Sequence, residues 1–300
     1  MATLYTHVSQ NKARSLIYIA AFVGLTLALG WFAGWYFDSY AIFPIALAIA
    51  IGMSWSSYYW SDRIALGVSR AKPITKQDNP YVYNMVENLA ITAGLPMPRV
   101  YLIDDSAPNA FATGRDPKHG AIALTTGIVD KLKNEELEGV IAHEMAHIGN
   151  YDTRLMTIVV VLVGLVTLMA DFMIRMSFFG GGRRDSGQLG AIVMIAGFVL
   201  LLLSPLFATM IQLAVSRRRE FAADATGALL TRYPQGLANA LEKIDKDHEP
   251  LEVANKATAH LYIANPFKDR KRDGQSWFSK LFNTHPPIAE RVKALRQLSS

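Results

Sequence analysis

The pentapeptide His143-Glu144-Met145-Ala146-His147 constrains this chain more than any other stretch, because it specifies both a local structure and a distant partner. Residues four apart stack on one face of an α-helix, so the two imidazoles can chelate one cation. Glu144 projects about 100° away and can reach a water bound to that cation. A catalytic zinc takes three protein ligands and keeps one position for water, so a third ligand has to arrive from elsewhere in the fold. The spacing therefore predicts a zinc hydrolase whose site is closed by a second segment. Taken alone, the pentapeptide also admits a plainer reading, an amphipathic helix with two surface histidines.

Its flanks support the helix. Asn134 is placed to cap an N-terminus whose first turn carries Glu135 and Glu136, where carboxylates meet the positive end of the helix dipole. Leu137, Val140, Ile141 and Ala142 supply an apolar face, and Gly149-Asn150 either end the helix or only loosen it before Asp152.

Hydrophobic residues make up 51% of the 300, a proportion that points away from a purely soluble protein. Four apolar stretches hold the excess: Leu16 to Phe37, Tyr40 to Trp60, Leu155 to Ala170 and Ser186 to Ser216. Each is free of charge and long enough, or nearly so, to cross a hydrocarbon core of roughly 30 Å, which predicts four transmembrane helices. Lys12 and Arg14 before the first stretch, and Arg63, Arg70, Lys72 and Lys76 after the second, place both ends of that hairpin in the cytoplasm. The chain then divides into an N-terminal hairpin (1–60), a first catalytic block (61–153), a second hairpin (154–216) and a second catalytic block (217–300).

With no cysteine, disulfides and cysteine ligands or nucleophiles are excluded. The net charge of +5 is modest and gathers beside the apolar stretches, notably at Arg217-Arg218-Arg219, so it gives nucleic-acid binding no support.

In the first catalytic block Asn79-Pro80 reads as a cap and first helical residue, with Gly94 as the stop. Pro98 to Ile103, Ala110 to Thr113 and Ala121 to Thr125 read as strands of a small antiparallel sheet. The fold class expected is mainly α with that sheet, a zincin-like metalloprotease integral to a membrane. In the second block helices are expected at Arg219 to Leu230, Gln235 to Lys246 and Pro287 to Leu298.

Few residues can complete the metal site. Glu220 and Asp224 lie four apart on one helix face, so Glu220 can ligate while Asp224 accepts a hydrogen bond from the far nitrogen of a ligand histidine. Alternatively, Glu220 is a helix-start carboxylate neutralised by the three arginines before it.

At this point the motifs, in order, resemble the HtpX-type membrane zinc metalloproteases, relatives of the CAAX prenyl endopeptidases. The likeness rests on the paired N-terminal apolar stretches, Pro108-Asn109-Ala110-Phe111-Ala112-Thr113-Gly114, the His-Glu-Met-Ala-His helix followed by Asp152, an apolar hairpin, Glu220 to Asp224, and Thr284-His285-Pro286-Pro287 with Arg291. It implies one Zn2+ per chain held by His143, His147 and Glu220, with Glu144 as general base and His285 and Arg291 stabilising the oxyanion. It also implies that Asn109, Ala110, Phe111 and Ala112 bind an extended substrate along a strand edge; from the residues alone an inner strand with Phe111 in the core is as good a reading.

The function implied is an endopeptidase in a bacterial inner membrane, cleaving unfolded or accessible segments of membrane proteins at the cytoplasmic face, in quality control and stress. A metal transporter or a zinc-stabilised scaffold without catalysis is the alternative; transport calls for ionisable residues at mid-span, and the four stretches carry none.

Overall fold

The computed structural model describes residues 4–36, 40–159, 217–253, 258–267 and 286–298. Two long helices, α1 (Leu4–Tyr36) and α2 (Ile42–Val68), form a hairpin that leads into a short strand β1 (Lys72–Pro73). Helix α3 (Pro80–Ala93) follows, with Asn79 accepting from the Val82 N–H at 3.0 Å and Gly94 leaving the helix at φ 65°. Strands β2 (Arg99–Ile103), β3 (Ala110–Thr113) and β4 (Ala121–Thr125) come next, then α4 (Thr126–Lys131) and α5 (Asn134–Gly149), which carries both histidines. The remaining long elements are α6 (Arg217–Thr231), α7 (Pro234–Lys246) and α8 (Ile288–Gln297).

Helix α5 begins one residue earlier than a cap at Asn134 requires. Lys133 is the cap position, and its N–H is held by the Glu136 carboxylate at 2.7 Å. Asn134 is the first helical residue and accepts from the Tyr81 hydroxyl.

The sheet is mixed rather than antiparallel. Its order is β1-β2-β4-β3, with β2 and β4 parallel and the β3–β4 hairpin antiparallel. The reason is that the 104–109 connection carries the chain past the β4 position, so β3 occupies the outer side and β4 returns to lie against β2. A strand between two others is buried on both faces, and all five residues of β4 are.

Alternation along the strands separates two cores. Val100, Ile122, Leu124, Ala110 and Ala112 face α5 and join Val86, Leu137, Ile141, Met145, Ile148, Leu237, Leu241 and Leu295. Ile103, Phe111, Ala121 and Ala123 face the other way, onto Ala65 and Leu66 of α2, Met156 and Tyr262. The first core draws on both polar blocks, so the segments either side of residues 160–216 fold as one body around α5.

Four transmembrane helices, and with them an integral inner-membrane protein, are not what the structure bears out. Among the described residues no helix is long and apolar enough to cross a membrane. That expectation rested on four apolar, uncharged stretches of the sequence, two of which reach into the described residues only in part or not at all. The second half of α2 carries Ser54, Ser56, Ser57, Tyr58 and Tyr59, and the Ser57 hydroxyl donates to the Ile158 carbonyl. The start of α1 is inserted into the catalytic body through Asn11 and Ser15, both buried. Leu155, Ile158 and Val159, which open the third apolar stretch, are buried against protein. The rest of that stretch and all of the fourth lie outside the described residues. Along the α1–α2 hairpin large apolar side chains such as Trp31, Trp35 and Trp55 remain exposed.

Candidate metal centre and active site

Helix α5 brings His143 and His147 together on one face, with their Nε2 atoms 3.1 Å apart and the rings nearly perpendicular at 88°. Helix α6 crosses α5 at close range because Gly227 has no side chain: a Cβ there would sit 3.0 Å from the His143 backbone nitrogen. This approach delivers Glu220, whose carboxylate oxygens lie 3.5 Å from His147 Nε2 and 3.9 Å from His143 Nε2. All three side chains are buried, and one ligand atom from each falls within 4.8 Å of the others.

Two imidazoles and one carboxylate are a donor set that suits a divalent first-row metal. Ligand bonds of roughly 2.0–2.1 Å in tetrahedral array put donor atoms about 3.3 Å apart, close to the spacings here. The cluster can therefore coordinate a metal ion with little rearrangement. Glu144, one residue along α5, is buried beside it, and its charge acts on both His147 and Arg291.

A profile of peptidase family M48 matches residues 76–299, which include all three side chains able to hold a metal. The chain belongs to peptidase family M48. Among curated M48-type relatives, a protein described as a protease HtpX homolog from Tropheryma whipplei (strain Twist) is 44% identical over 297 residues, covering 99% of each chain. One of the same description from Thermoanaerobacter pseudethanolicus is 44% identical over 302 residues, with 99% of this chain and 98% of the relative covered. A solved structure, that of S. mikatae Ste24p, aligns over 97% of this chain and 67% of its own at 21% identity, with a TM-score of 0.49. His143, His147 and Glu220 match a zinc-metalloprotease active site, and the M48 chain is a peptidase.

Each imidazole of this candidate M48 metal site has its far nitrogen held. Asp224, one turn beyond Glu220, takes His143 Nδ1 at 2.9 Å, and Asp152 takes His147 Nδ1 at 3.0 Å. Both bonds fix the Nδ1–H tautomer and turn the Nε2 lone pairs towards Glu220.

The electrostatics of the two rings diverge. Burial and the neighbouring Arg291 charge push His143 down to about 4, keeping it the neutral imidazole a metal needs. Burial opposes a charge on His147 too, but the Asp152 hydrogen bond and the Glu220 and Glu144 carboxylates outweigh it, raising the group to about 9. The carboxylates thus favour a cation, proton or metal, at this point.

Arg291 is fully buried and grips Asp224 with two bonds, Nε to Oδ2 at 2.9 Å and Nη2 to Oδ1 at 2.7 Å. Its Nη1 lies 3.6 Å from Glu220, and Nη2 lies 3.4 Å from each ring nitrogen of His143. It therefore sits within the site, braced against two carboxylates. Residue His285 lies outside the described residues.

Strand β3 has all four residues buried, and Phe111 packs edge-on against Tyr262 with ring centroids 5.0 Å apart. Its outer edge is largely taken. The Ala110 carbonyl accepts from the Ile263 N–H at 2.9 Å, the Ala110 N–H is met by the Asn109 side chain, and the Gly114 carbonyl accepts from the Thr153 hydroxyl. Asn109 also donates to the Ala264 carbonyl at 3.1 Å. Between them Ala112 points its N–H and C=O outward, with no hydrogen bond to the described residues.

The role of Asp152 as partner to His147 escaped sequence reasoning, as did the contributions of Asn11 and Arg219. An aspartate five residues after a ligand shows no helical periodicity. It reaches His147 because Tyr151 adopts φ 60° and turns the chain back on itself just after α5 ends.

Proposed function

We propose that this protein is a zinc-dependent endopeptidase that hydrolyses extended, accessible segments of polypeptide. The observation that carries the reading is the convergence of His143, His147 and Glu220 on one buried point with Glu144 beside it. A zinc held there would act as a Lewis acid, polarising the scissile carbonyl and making a water nucleophilic near neutral pH. Glu144 accepts the proton of the attacking water and returns it to the leaving amine, the two half-steps of general base and general acid catalysis. Asp224 and Asp152 keep the imidazole tautomers fixed throughout.

Arg291 contributes positive charge close to where the oxyanion develops, while its bonds to Asp224 hold the guanidinium in place. His285, from the same motif, is assigned the second donor. For the substrate, the outward amide and carbonyl of Ala112 offer main-chain hydrogen bonds to a peptide laid along β3, which accepts many sequences because backbone is common to all. Asn109, Ala110 and Phe111 shape that edge, with Ala110 already engaged by Ile263.

Glu144→Ala decides between this reading and a zinc-stabilised scaffold. The expected result in purified protein is stoichiometric zinc with cleavage of an unfolded substrate such as casein abolished. Cleavage at the parent rate by the variant would refute the assignment of Glu144 as general base, and no cleavage by the zinc-loaded parent would refute the hydrolytic reading itself.

A further inference from the structure

The N-terminal helix reaches the metal centre through one side chain. Asn11 of α1 is 2% exposed, and its carboxamide is fully engaged. Nδ2 donates to Asp152 Oδ1 at 2.7 Å and to the Asn150 carbonyl at 3.1 Å, while Oδ1 accepts from Arg219 Nη1 at 3.2 Å. The partners settle which way the amide points, because a flipped group would set its oxygen against a carboxylate and a carbonyl, and its NH2 against a guanidinium. Asp152 uses its other oxygen for His147 Nδ1. Arg219 directly precedes Glu220, and its Nε lies 3.6 Å from Asp152. Asn11 thus joins the segment that follows the two histidines to the segment that carries the carboxylate ligand, from a helix that lies before the residues matched by the family profile.

We propose that Asn11 is a positioning residue for the metal centre: it holds Asp152 in the orientation that presents His147 Nε2, and it couples that setting to Arg219 and hence to the start of the Glu220 helix. The inference rests on His143, His147 and Glu220 binding metal. An aspartate at position 11 could not replace it, since a carboxylate there would face the Asp152 carboxylate.

The test is zinc affinity of the purified full-length protein, measured with zinc alone against a chromophoric chelator, together with the visible spectrum of the Co2+-substituted form. Asn11→Leu is expected to weaken zinc binding several-fold, up to about the 10-fold at which loss of the His147 partner Asp152 itself begins, and to alter the Co2+ bands. Thr26→Ala is expected to leave both unchanged: it removes a bond within the same helix, from the Thr26 hydroxyl to the Phe22 carbonyl at 2.9 Å, that involves none of the groups around Asp152. Parent-like affinity and spectrum in Asn11→Leu would overturn the proposal. If the leucine variant does not fold, Asn11→Ser decides by the same two readouts: weakened zinc binding supports the proposal and parent-like binding refutes it. His143→Ala separates the two readings, because stoichiometric zinc in that variant would sink the metal site itself, whereas its loss beside a parent-like Asn11→Leu sinks only the role of Asn11.

Discussion

Buried charge around the metal site is arranged in pairs, and Arg291 with Asp224 is the pair with most at stake. Both are nearly inaccessible and share two short hydrogen bonds. Removing one partner of such a pair strands the other as an uncompensated buried charge, typically at about 3–5 kcal/mol. Arg291→Met is therefore expected to lower stability by that order in chemical denaturation of the metal-free protein. The double variant with Asp224→Leu should recover part of the loss, and additive losses would show that the two residues act independently. Asp152→Ala leaves His147 Nδ1 without its acceptor, and zinc affinity is expected to fall about 10- to 100-fold in chelator competition. The sequence placed Asp224 by its helical spacing from Glu220; Asp152 stood in the motif series, but its bond to His147 did not show there, because it depends on the backbone turn at Tyr151.

Helix contacts set the depth at which these side chains meet, and glycine makes the closest of them possible. A Cβ at Gly139 on α5 would lie 2.7 Å from the Leu237 backbone nitrogen of α7, so the helices would have to separate. Gly139→Ala is expected to cost about 1–3 kcal/mol, read as a lower urea midpoint at unchanged slope. Gly227, at the α5–α6 crossing, bears directly on function. Gly227→Val pushes α6 away from His143, and the expected outcome is weaker zinc binding with the fold retained; affinity equal to the parent would mean that α6 can shift without carrying Glu220 out of reach. Helix existence and type were readable from capping and periodicity, as in Asn79-Pro80 to Gly94. The order of the strands was not, because pairing of β2 with β4 is a choice between edges that alternation along each strand leaves open.

Across the whole molecule the metal centre is the junction of four separated stretches: α1 through Asn11, α5 through both histidines, α6 through Glu220 and Asp224, and α8 through Arg291. A ligand that binds only when these meet stabilises the folded state by mass action, about 2.7 kcal/mol at a free concentration one hundred times its dissociation constant. Zinc is thus expected to raise the thermal midpoint in a concentration-dependent way, and Glu220→Ala to abolish the increase. An unchanged midpoint in the parent would show that binding does not draw the stretches together. At this scale the expectation of membrane-crossing helices was not met: among the described residues no helix is long and apolar enough to cross a membrane.

Local chemistry was written in the chain itself. Spacing of four placed His143 with His147 and Glu220 with Asp224, and end signals bounded α3, because a helix imposes its geometry within a turn or two of sequence. What tertiary structure decided was every relation between distant segments: that α6 meets α5 closely enough for three ligand atoms to converge, that the outer edge of β3 is shared with Ile263, and that Asn11 stands behind His147. Those relations depend on packing of side chains far apart in the chain, 141 residues for Asn11 and Asp152, and no local periodicity records them.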